Sequence, residues 1–255
     1  MKTSLLPVLA LGLAAAGCQA VRARPLRVGI SPDAPPLAFE EGGEMKGLEA
    51  EMARTYGEDT RVPVEFVRRE FPRLINALIA GEVDVVMSGM SVTQGRARTV
   101  SFTDPYLQSG QRVMVRAADA AGAGTAEEFT STRLTVGYER GTTGEAFVKT
   151  RFYNATAVPF PDGAAGIAAL RTSKIDAFVH DSPTLWAVVQ GEGGEDVALL
   201  KGRLTQEDLA WAVRPWDGEL RGRLNAALAK WREDGRLDAM VRRWLGERAA
   251  ARVAE

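Results

Sequence analysis

The sequence has very few of the residues from which disulfides and metal sites are built. Cys18 is the only cysteine and His180 the only histidine among the 255 residues. One cysteine cannot form an internal disulfide or a cysteine-based metal site. One histidine likewise excludes a histidine-cluster metal site. Because a Walker-type glycine loop is also missing, nothing in the sequence indicates a bound cofactor, and we expect none.

The sequence also lacks an excess of one charge sign. Lys and Arg number 32 against 33 Asp and Glu, which gives a net charge of −1. Nucleic acid is therefore not expected as a partner. The hydrophobic share of 45% and the charged share of 25% are ordinary for a globular protein. The length is sufficient for one large domain or two modest ones.

The first residues have the features of a targeting segment. Lys2 supplies a positive end, and Leu5 to Ala16 is an apolar stretch of signal-peptide length. The Ala-Ala-Gly-Cys that ends at Cys18 resembles the lipobox of bacterial lipoproteins, in which the cysteine is lipidated and becomes residue one. We expect removal of residues 1–17 and a lipid anchor on Cys18 that holds the protein at the cell envelope. The alternative is ordinary signal cleavage nearby, which would leave a free thiol.

The stretch from Asp84 to Tyr106 is central to the functional prediction. It begins within an apolar run, Val83 to Met87, that is typical of a buried strand in an α/β sheet. The run ends at Ser88-Gly89-Met90-Ser91, where small residues leave backbone N–H groups approachable. Because open α/β sheets bind ligands at the carboxyl ends of their strands, this corner is a candidate binding site.

An arginine is predicted to lie beside this corner. Thr93 is a candidate N-cap for a short helical turn over residues 94–98, which would bring Arg96 close to Ser88 and Ser91. Hydroxyl groups, backbone N–H groups and one guanidinium together suit a carboxylate, which arginine grips with two parallel hydrogen bonds. The alternative is that Arg96 is a solvated surface residue, as most arginines are.

The rest of the chain alternates predicted strands and helices and partly repeats itself. Leu134 to Tyr138 echoes Leu26 to Ile30, and Ile167 to Phe178 echoes Leu78 to Val86, with Asp176 in the place of Asp84. The matching order predicts two similar α/β lobes, although all β-α-β units share this general appearance. Ser88-Gly89 ends a strand in the first lobe and His180-Asp181 ends one in the second, so the two corners would face each other across a cleft.

Two connections would join these lobes. Gly110 to Arg116 leads out of the first lobe, and Leu209 to Val213 is predicted to be a strand that leads back. Ala117 to Thr125, rich in alanine and glycine, is predicted to be a mobile loop. Leu220 and Leu237 each begin an apolar helical stripe that contains a tryptophan, and these tryptophans are expected in the core.

These motifs resemble the bacterial extracellular solute-binding proteins of family 3, the periplasmic binding proteins for polar amino acids. The family pattern is a strand, Ser/Gly-Met-Thr/Ser, Thr-x-x-Arg-Ala and Phe-Ser/Thr-Asp-Pro-Tyr, and the resemblance runs from Leu26 to about Gly246. It implies a two-lobed α/β fold of the type II, venus-flytrap kind with two hinge crossovers. Lobe one would comprise residues 26–109 and 209–248, and lobe two residues 110–208, with a tether at 18–25 and a tail at 249–255.

The resemblance also implies a function. The protein would be a monomer that captures an amino acid in the interlobe cleft, without chemistry, and delivers it to an ABC permease. The arginine matching Arg96 binds the α-carboxylate in the family, assisted by the matches to Gly89 and Ser91. The match to Thr143 offers its N–H to the same carboxylate, and the match to Asp181 accepts hydrogen bonds from the α-ammonium group. For Thr143 and Asp181 a plain helix N-cap is the alternative.

The side-chain end of the pocket departs from the family. Phe71 matches an aromatic position that packs on the ligand, but Ala34 and Leu37 stand where aromatic residues are usual, which predicts a roomier pocket and a long polar ligand. His180 matches a histidine that reaches the ligand side chain in glutamine-binding members, or it is a structural residue. The complete set of predicted ligand-binding residues is Asp33, Ala34, Phe71, Ser88, Gly89, Ser91, Arg96, Thr142, Thr143, His180 and Asp181.

Two other functions remain open. Prephenate or arogenate dehydratases use this scaffold, but they place an acidic residue just beyond the match to Asp181, where this chain has Ser182, Pro183 and Thr184. A dehydratase needs a general acid for the leaving hydroxyl, and the local sequence offers no second candidate. A ligand-sensing module that docks to a membrane partner is the other alternative.

Overall fold

A computed structural model describes residues 24–247 of the chain. The predicted signal peptide, Cys18, residues 18–23 of the predicted tether and the predicted tail at 249–255 lie outside the described residues. Among residues 24–247, no helix combines the length and the apolar content that crossing a membrane requires.

Strands and helices alternate along the described chain. The strands are β1 Leu26–Ile30, β2 Asp33–Ala34, β3 Ala38–Glu41, β4 Glu44–Lys46, β5 Val64–Arg68, β6 Val85–Val86, β7 Ser101–Phe102, β8 Leu107–Ser109, β9 Gln111–Arg116, β10 Thr135–Glu139, β11 Thr156–Phe160, β12 Ala177–Asp181, β13 Val197–Leu199, β14 Glu207–Leu209 and β15 Ala212–Val213. The α-helices are α1 Leu48–Thr60, α2 Leu74–Ile79, α3 Gln94–Ala97, α4 Ala117–Ala120, α5 Ala126–Phe129, α6 Thr143–Arg151, α7 Gly163–Arg171, α8 Ser182–Gln190, α9 Gly218–Glu233 and α10 Arg236–Leu245. Short 3₁₀ turns lie at Phe71–Arg73 and Gly194–Asp196.

Two five-stranded sheets define the two lobes. The first has the order β5-β1-β6-β15-β7 and the second the order β11-β10-β12-β9-β13. In each sheet the first three strands are parallel and the other two join by antiparallel pairing. Parallel strands need both faces covered, which explains why their sequences are continuous apolar runs. The predicted two-lobed α/β fold is therefore confirmed, while the residue boundaries of the lobes stay a prediction.

The internal repeat extends to a matching hydrogen bond. The carboxylate of Asp84 accepts a hydrogen bond from the backbone N–H of Arg27 at 3.1 Å. In the second lobe, Asp176 accepts from the backbone N–H of Thr135 at 2.8 Å. Each aspartate therefore ties the start of one strand to the neighbouring parallel strand, and the sequence echo has a common structural cause.

The connection between the lobes corrects one sequence expectation. Leu209 to Val213 is not one strand, because β14 ends at Leu209 and β15 begins at Ala212. Leu209 pairs with Leu107 in a separate two-stranded sheet of β8 and β14, whereas Ala212 pairs with Val86 in the first sheet. The chain therefore changes sheets within these residues, and the β8–β14 pair forms the hinge.

One further prediction on local structure agrees with the structure and another needs revision. Residues 83–87 are all buried, and backbone hydrogen bonds to β1 extend from the Asp84 N–H (to the Arg27 carbonyl, 2.8 Å) to the Met87 N–H (to the Gly29 carbonyl, 3.0 Å). The predicted loop from Ala117 to Thr125 contains the short helix α4, which starts where strand β9 ends. Alanine has the highest helix propensity, so an alanine-rich segment can form a turn of helix even beside glycine.

The first-lobe core includes the C-terminal helices. Trp211 and Trp231 are fully buried in one cluster with Leu48, Met52 and Leu224. Their indole rings meet edge to face, with the centroids 6.2 Å apart. Helix α10 packs against both α9 and α1, so the two C-terminal helices belong to the first lobe. The first turn of α1 carries a residue of the site described next.

Candidate functional site

The end of strand β6 forms one wall of the cleft between the lobes. Ser88 is buried, and its Oγ accepts a hydrogen bond from the backbone N–H of Ser31 at 2.9 Å. Gly89 has φ +63°, a conformation that favours glycine, and a Cβ there would lie 2.8 Å from Cδ1 of Leu37. The small residues at this corner are therefore required by the backbone turn and by close packing.

A buried carboxylate lies directly behind this corner. Glu49, in the first turn of α1, is fully buried and accepts hydrogen bonds from the Gly89 N–H at 2.6 Å and from Trp211 Nε1 at 2.8 Å. The hydroxyl of Tyr106 also donates to it. Burial raises the pKa of Glu49 despite these three donors. Glu49 thus holds Gly89 in place and occupies its backbone N–H group.

Arg96 follows the corner on the predicted helical turn. Thr93 caps α3 by accepting a hydrogen bond from the Arg96 backbone N–H at 3.1 Å. The guanidinium donates to the carbonyl of Ser91 at 2.9 Å and, across the cleft, to the carbonyl of Gly141 at 3.1 Å. It also lies over the ring of Phe71, 5.3 Å from the centroid. The alternative of a solvated surface arginine is therefore wrong.

The second lobe contributes the start of helix α6. Thr142 is the N-cap, since its Oγ1 accepts from the backbone N–H of Glu145 at 3.3 Å. Thr143 is the first helical residue, and its Oγ1 accepts from Nε2 of Gln111 at 2.9 Å. The capping alternative thus applies to Thr142 and not to Thr143. The positive end of the helix dipole points into the cleft, where it favours an anion.

Asp181 ends strand β12 beside this helix. It occupies the N-cap position of α8, but its side chain makes no capping hydrogen bond. Its carboxylate instead accepts a hydrogen bond from Nε2 of Gln111. Burial, together with the negative charges of Glu207 and Glu139, raises the pKa of Asp181 to about 6. The capping alternative for Asp181 is therefore wrong, and the side chain lines the cleft.

Glu207 on hinge strand β14 connects the two lobes. One carboxylate oxygen accepts a hydrogen bond from Ser91 Oγ in the first lobe at 2.5 Å and from Thr143 Oγ1 in the second at 2.8 Å. The other oxygen accepts from Thr205 Oγ1 at 2.6 Å. This single carboxylate therefore lies between hydroxyl groups of both lobes.

His180 and Glu139 form a buried pair in the second lobe. Nε2 of His180 lies 2.8 Å from a carboxylate oxygen of Glu139, and both residues are about 4% exposed. Burial opposes the charged imidazolium, but the hydrogen bond and negative charge of Glu139 outweigh it and raise the pKa of His180. The other ring nitrogen, Nδ1, is buried without a hydrogen-bond partner in the described structure.

A second carboxylate faces this pair from the first lobe. Oδ1 of Asp33 is buried and has no hydrogen-bond partner among the described residues. Burial, with the nearby charges of Glu139 and Asp162, raises the pKa of Asp33. An unpaired buried carboxylate oxygen is costly, and a cation that binds beside it would remove that cost.

The lobes are closed on each other at the cleft. The cavity between them measures about 20 Å³, which is space for about one water molecule. The Arg96–Gly141 hydrogen bond and the Glu207 bridge both cross this gap. A larger ligand therefore requires the lobes to separate and then close around it.

The amino-acid sequence matches a known family over nearly all of the described chain. The sequence profile of the bacterial extracellular solute-binding proteins, family 3, matches residues 26–247. The chain belongs to this family. Among curated relatives, the L-arginine-binding protein of Pseudomonas aeruginosa is 28% identical over 235 residues, which cover 84% of this chain and 85% of that protein.

Solved structures of similar proteins have the same two-lobed architecture. An ancestral arginine-binding protein bound to arginine is 29% identical, with a TM-score of 0.81 over 87% of this chain and 98% of that one. An ancestral amino acid-binding protein, described as a precursor of cyclohexadienyl dehydratase, is 30% identical with a TM-score of 0.81 over 86% and 95%.

The fold of this solute-binding protein brings the predicted site residues together. All eleven residues named from the sequence line the one cleft cavity, and Leu37 and Glu139 complete its wall. Ala34 and Leu37 are the smaller residues on the first-lobe side, and Phe71 is the aromatic one. That these residues contact a ligand stays a prediction.

Sequence reasoning missed four polar residues of this solute-binding protein. Glu49, Gln111, Glu139 and Glu207 each bond to, or directly support, a predicted site residue. Glu139 carried a usable signal, because it directly follows the predicted strand and lies just before Gly141. The other three had none, since the site residues to which they bond lie 32 to 116 residues away along the chain.

Proposed function

We propose that this solute-binding protein captures an amino acid with a long cationic side chain, of the arginine or lysine type. It closes its two lobes around the ligand and delivers it chemically unchanged to an ABC permease. The similarity to arginine-binding proteins supports the ligand class. The charges in the cleft provide an independent argument.

One end of the cleft suits the zwitterionic head group that all amino acids share. Arg96 supplies N–H donors for the α-carboxylate, and its bond to Ser91 holds the guanidinium in orientation. The start of α6 at Thr143 adds backbone N–H groups from the opposite lobe. Asp181 offers an acceptor for the α-ammonium group. Because these groups come from both lobes, one ligand can hold the closed form together.

The other end of the cleft carries unbalanced negative charge. Arg96 and Asp181 are matched by the ligand head group, and Glu139 is paired with His180. Asp33 then remains, with a buried Oδ1 that lacks a partner in the described structure. This oxygen is the observation that carries the proposal, because a guanidinium or ammonium group would supply the missing donor and the missing charge. The long polar side chain expected from Ala34 and Leu37 is thereby narrowed to a cationic one.

Calorimetric titration with arginine and two analogues tests each end of this ligand. Citrulline keeps the shape of arginine but is neutral at the side chain, and agmatine keeps the guanidinium but lacks the carboxylate. We expect both analogues to bind at least about tenfold more weakly than arginine, because each loses a charge-assisted hydrogen bond. Citrulline binding as tightly as arginine would reject the cationic subsite. Agmatine binding as tightly would reject the role of Arg96.

We further propose that the protein acts as a monomer held at the cell envelope by a lipid on Cys18. The targeting features of residues 1–17 and the extracellular family support this location. Intact-mass analysis of protein extracted from membranes tests the anchor. An unmodified Cys18, or a mature chain that starts elsewhere, would contradict it.

A dehydratase activity is a second candidate that the site geometry makes worth testing. The local sequence offered no acid beside Asp181, but the fold brings Glu207 close to it. Glu207 accepts a hydrogen bond from Thr143, and Asp181 accepts one from Gln111, which also donates to Thr143. The pKa of Asp181, about 6, lies near the range of a general acid. Incubation with prephenate or arogenate should leave both unchanged, and product formation that Asp181→Asn abolishes would establish the enzyme instead.

A further inference from the structure

A second cavity lies at the hinge, and it differs from the cleft in size and charge. It measures about 330 Å³, within the size range of small-molecule sites. Hinge residues, helix α8 of the second lobe and the end of α10 of the first lobe line it, and it shares no lining residue with the cleft. We call it the hinge cavity and define it by Ser109, Arg112, Pro183, Trp186, Arg203 and Trp244.

The hinge cavity has positively charged walls. Arg112 and Arg203 both line it, and no aspartate or glutamate does among the described residues. Arg203 donates to the carbonyl of Ser109 at 3.4 Å, and in the described part of the chain no carboxylate lies within ion-pair distance of it. Helix α8 begins at the rim, with Ser182 and Pro183 in the wall, and adds the positive end of its dipole.

The remaining walls suit a flat apolar group. The indole ring of Trp186 is partly exposed, and the Arg112 guanidinium lies over it, 5.5 Å from the centroid. Pro183, on the same helix as Trp186, and Trp244 of α10 add apolar surface to the wall. Aromatic faces and prolines offer contact area to a planar ring, and a guanidinium can stack on it.

We propose that the hinge cavity is a second binding site, for a small organic anion that carries a carboxylate on a flat apolar body. The carboxylate pairs with Arg203, and the apolar body lies against Trp186. The size of the cavity, the positive charge of its wall and the partly exposed indole ring agree on this chemistry.

Titration with 2-naphthoate, followed by calorimetry and by the NMR signal of the Trp186 indole N–H, tests this site in the full chain. The titration is done on wild type and on Arg96→Ala, because this variant lacks the arginine that would bind a carboxylate in the cleft. We expect 2-naphthoate to bind both proteins equally, and the neutral analogue 2-naphthylmethanol to bind about tenfold more weakly. Binding that disappears in Arg96→Ala would assign the probe to the cleft and overturn the proposal.

Two arginine variants complete the test. Arg203→Gln should weaken 2-naphthoate binding at least about tenfold, since it removes one charged hydrogen-bond donor. Arg223→Gln, an exposed arginine that pairs with Glu219 on α9, is the matched control and should bind as wild type does. Circular dichroism checks that both variants are folded. Equal affinity in folded Arg203→Gln and wild type, or no binding to wild type, would overturn the proposal.

Discussion

The cleft and the hinge cavity of this protein are opposite in their electrostatics. The cleft has three carboxylates in its wall and one arginine, whereas the hinge cavity has two arginines and, among the described residues, no carboxylate. The cleft is nearly filled at about 20 Å³, and the hinge cavity has about 330 Å³. Both lie between the lobes, so their position alone does not determine what they bind.

The difference comes from the elements that build each wall. The cleft is formed by strand ends and helix starts, where buried carboxylates are held by backbone and side-chain donors. The pKa values of Asp33, Glu49 and Asp181 are raised because burial there disfavours their charged forms. The hinge cavity is formed by strand β8, the start of β9 and helix surfaces, and its two arginines are at least partly exposed. A site made of desolvated carboxylates attracts a cation, and its affinity depends on pH.

Arg96→Ala should have the largest effect and should act on the cleft alone. It removes the cation that grips the α-carboxylate, so we expect a loss of about 2–5 kcal/mol of binding free energy. That is roughly 30-fold to several thousand-fold in amino acid affinity. Arg98→Ala, an exposed neighbour on the same turn, is the control and should bind normally. Near wild-type calorimetric affinity in folded Arg96→Ala would reject the carboxylate assignment.

Asp33→Asn tests the negative charge of this side chain without changing its shape, at the end of the cleft proposed for the ligand side chain. The amide keeps the size of the side chain but removes the negative charge that faces a cation. We expect about tenfold to a hundredfold weaker arginine binding and little change for citrulline. Asp208→Asn changes an exposed hinge carboxylate and should alter neither. An equal loss for arginine and citrulline in Asp33→Asn would mean that Asp33 supports the fold rather than the ligand charge.

The pH dependence of binding should distinguish the two cavities. With a pKa of about 6 in the ligand-free protein, Asp181 loses its charge as the pH falls, and only the ionised form attracts the ammonium group. Arginine affinity should therefore drop about tenfold between pH 7.5 and pH 5. Binding of 2-naphthoate should stay nearly constant, because the described wall of the hinge cavity has no titrating carboxylate.

Asp181→Asn provides the control for this pH profile and a stability readout. Binding should be weaker throughout, and its pH dependence between 5 and 7.5 should be smaller than in wild type. A residual dependence is expected because Asp33 and His180, whose pKa values are also raised, line the same cleft. Because the folded-state pKa is raised, the ionised carboxylate destabilises the ligand-free fold once the pH exceeds the unfolded pKa. The free energy of unfolding of the variant should therefore be about 1–3 kcal/mol larger than that of wild type at pH 7.5. A pH profile as steep in Asp181→Asn as in wild type would assign the titration to another group.

Gly89→Ala should give the smallest effect. Gly89 and Gly81 both have positive φ, +63° and +74°, but only at Gly89 does an added Cβ meet a side chain, Leu37 Cδ1 at 2.8 Å. Each substitution should cost about 1–2 kcal/mol of stability for the backbone conformation. Only Gly89→Ala should also weaken amino acid binding, by a few-fold, since the flexible end of Leu37 can yield toward the cleft. Equal binding by both variants would show that this packing is not part of the site.

Much of the fold was accessible from the sequence because local patterns carried it. Strand β1 was predicted with its observed bounds, and Thr93 caps a helical turn as expected. Apolar runs, caps and glycines act over a few residues, so the sequence contains their full cause. The strand that was expected to run through Leu209 to Val213 failed because its two halves pair with different sheets.

The two-lobed fold, the family and the eleven residues that come to line the cleft could all be predicted from the sequence. How these residues are charged and paired became visible in the folded structure alone. Glu207 meets Ser91 and Thr143 across 116 and 64 residues of chain, and Glu49 supports Gly89 across 40. The positive hinge cavity likewise forms from residues that share no motif. Desolvation and long-range pairing depend on which surfaces meet, and no local pattern records that.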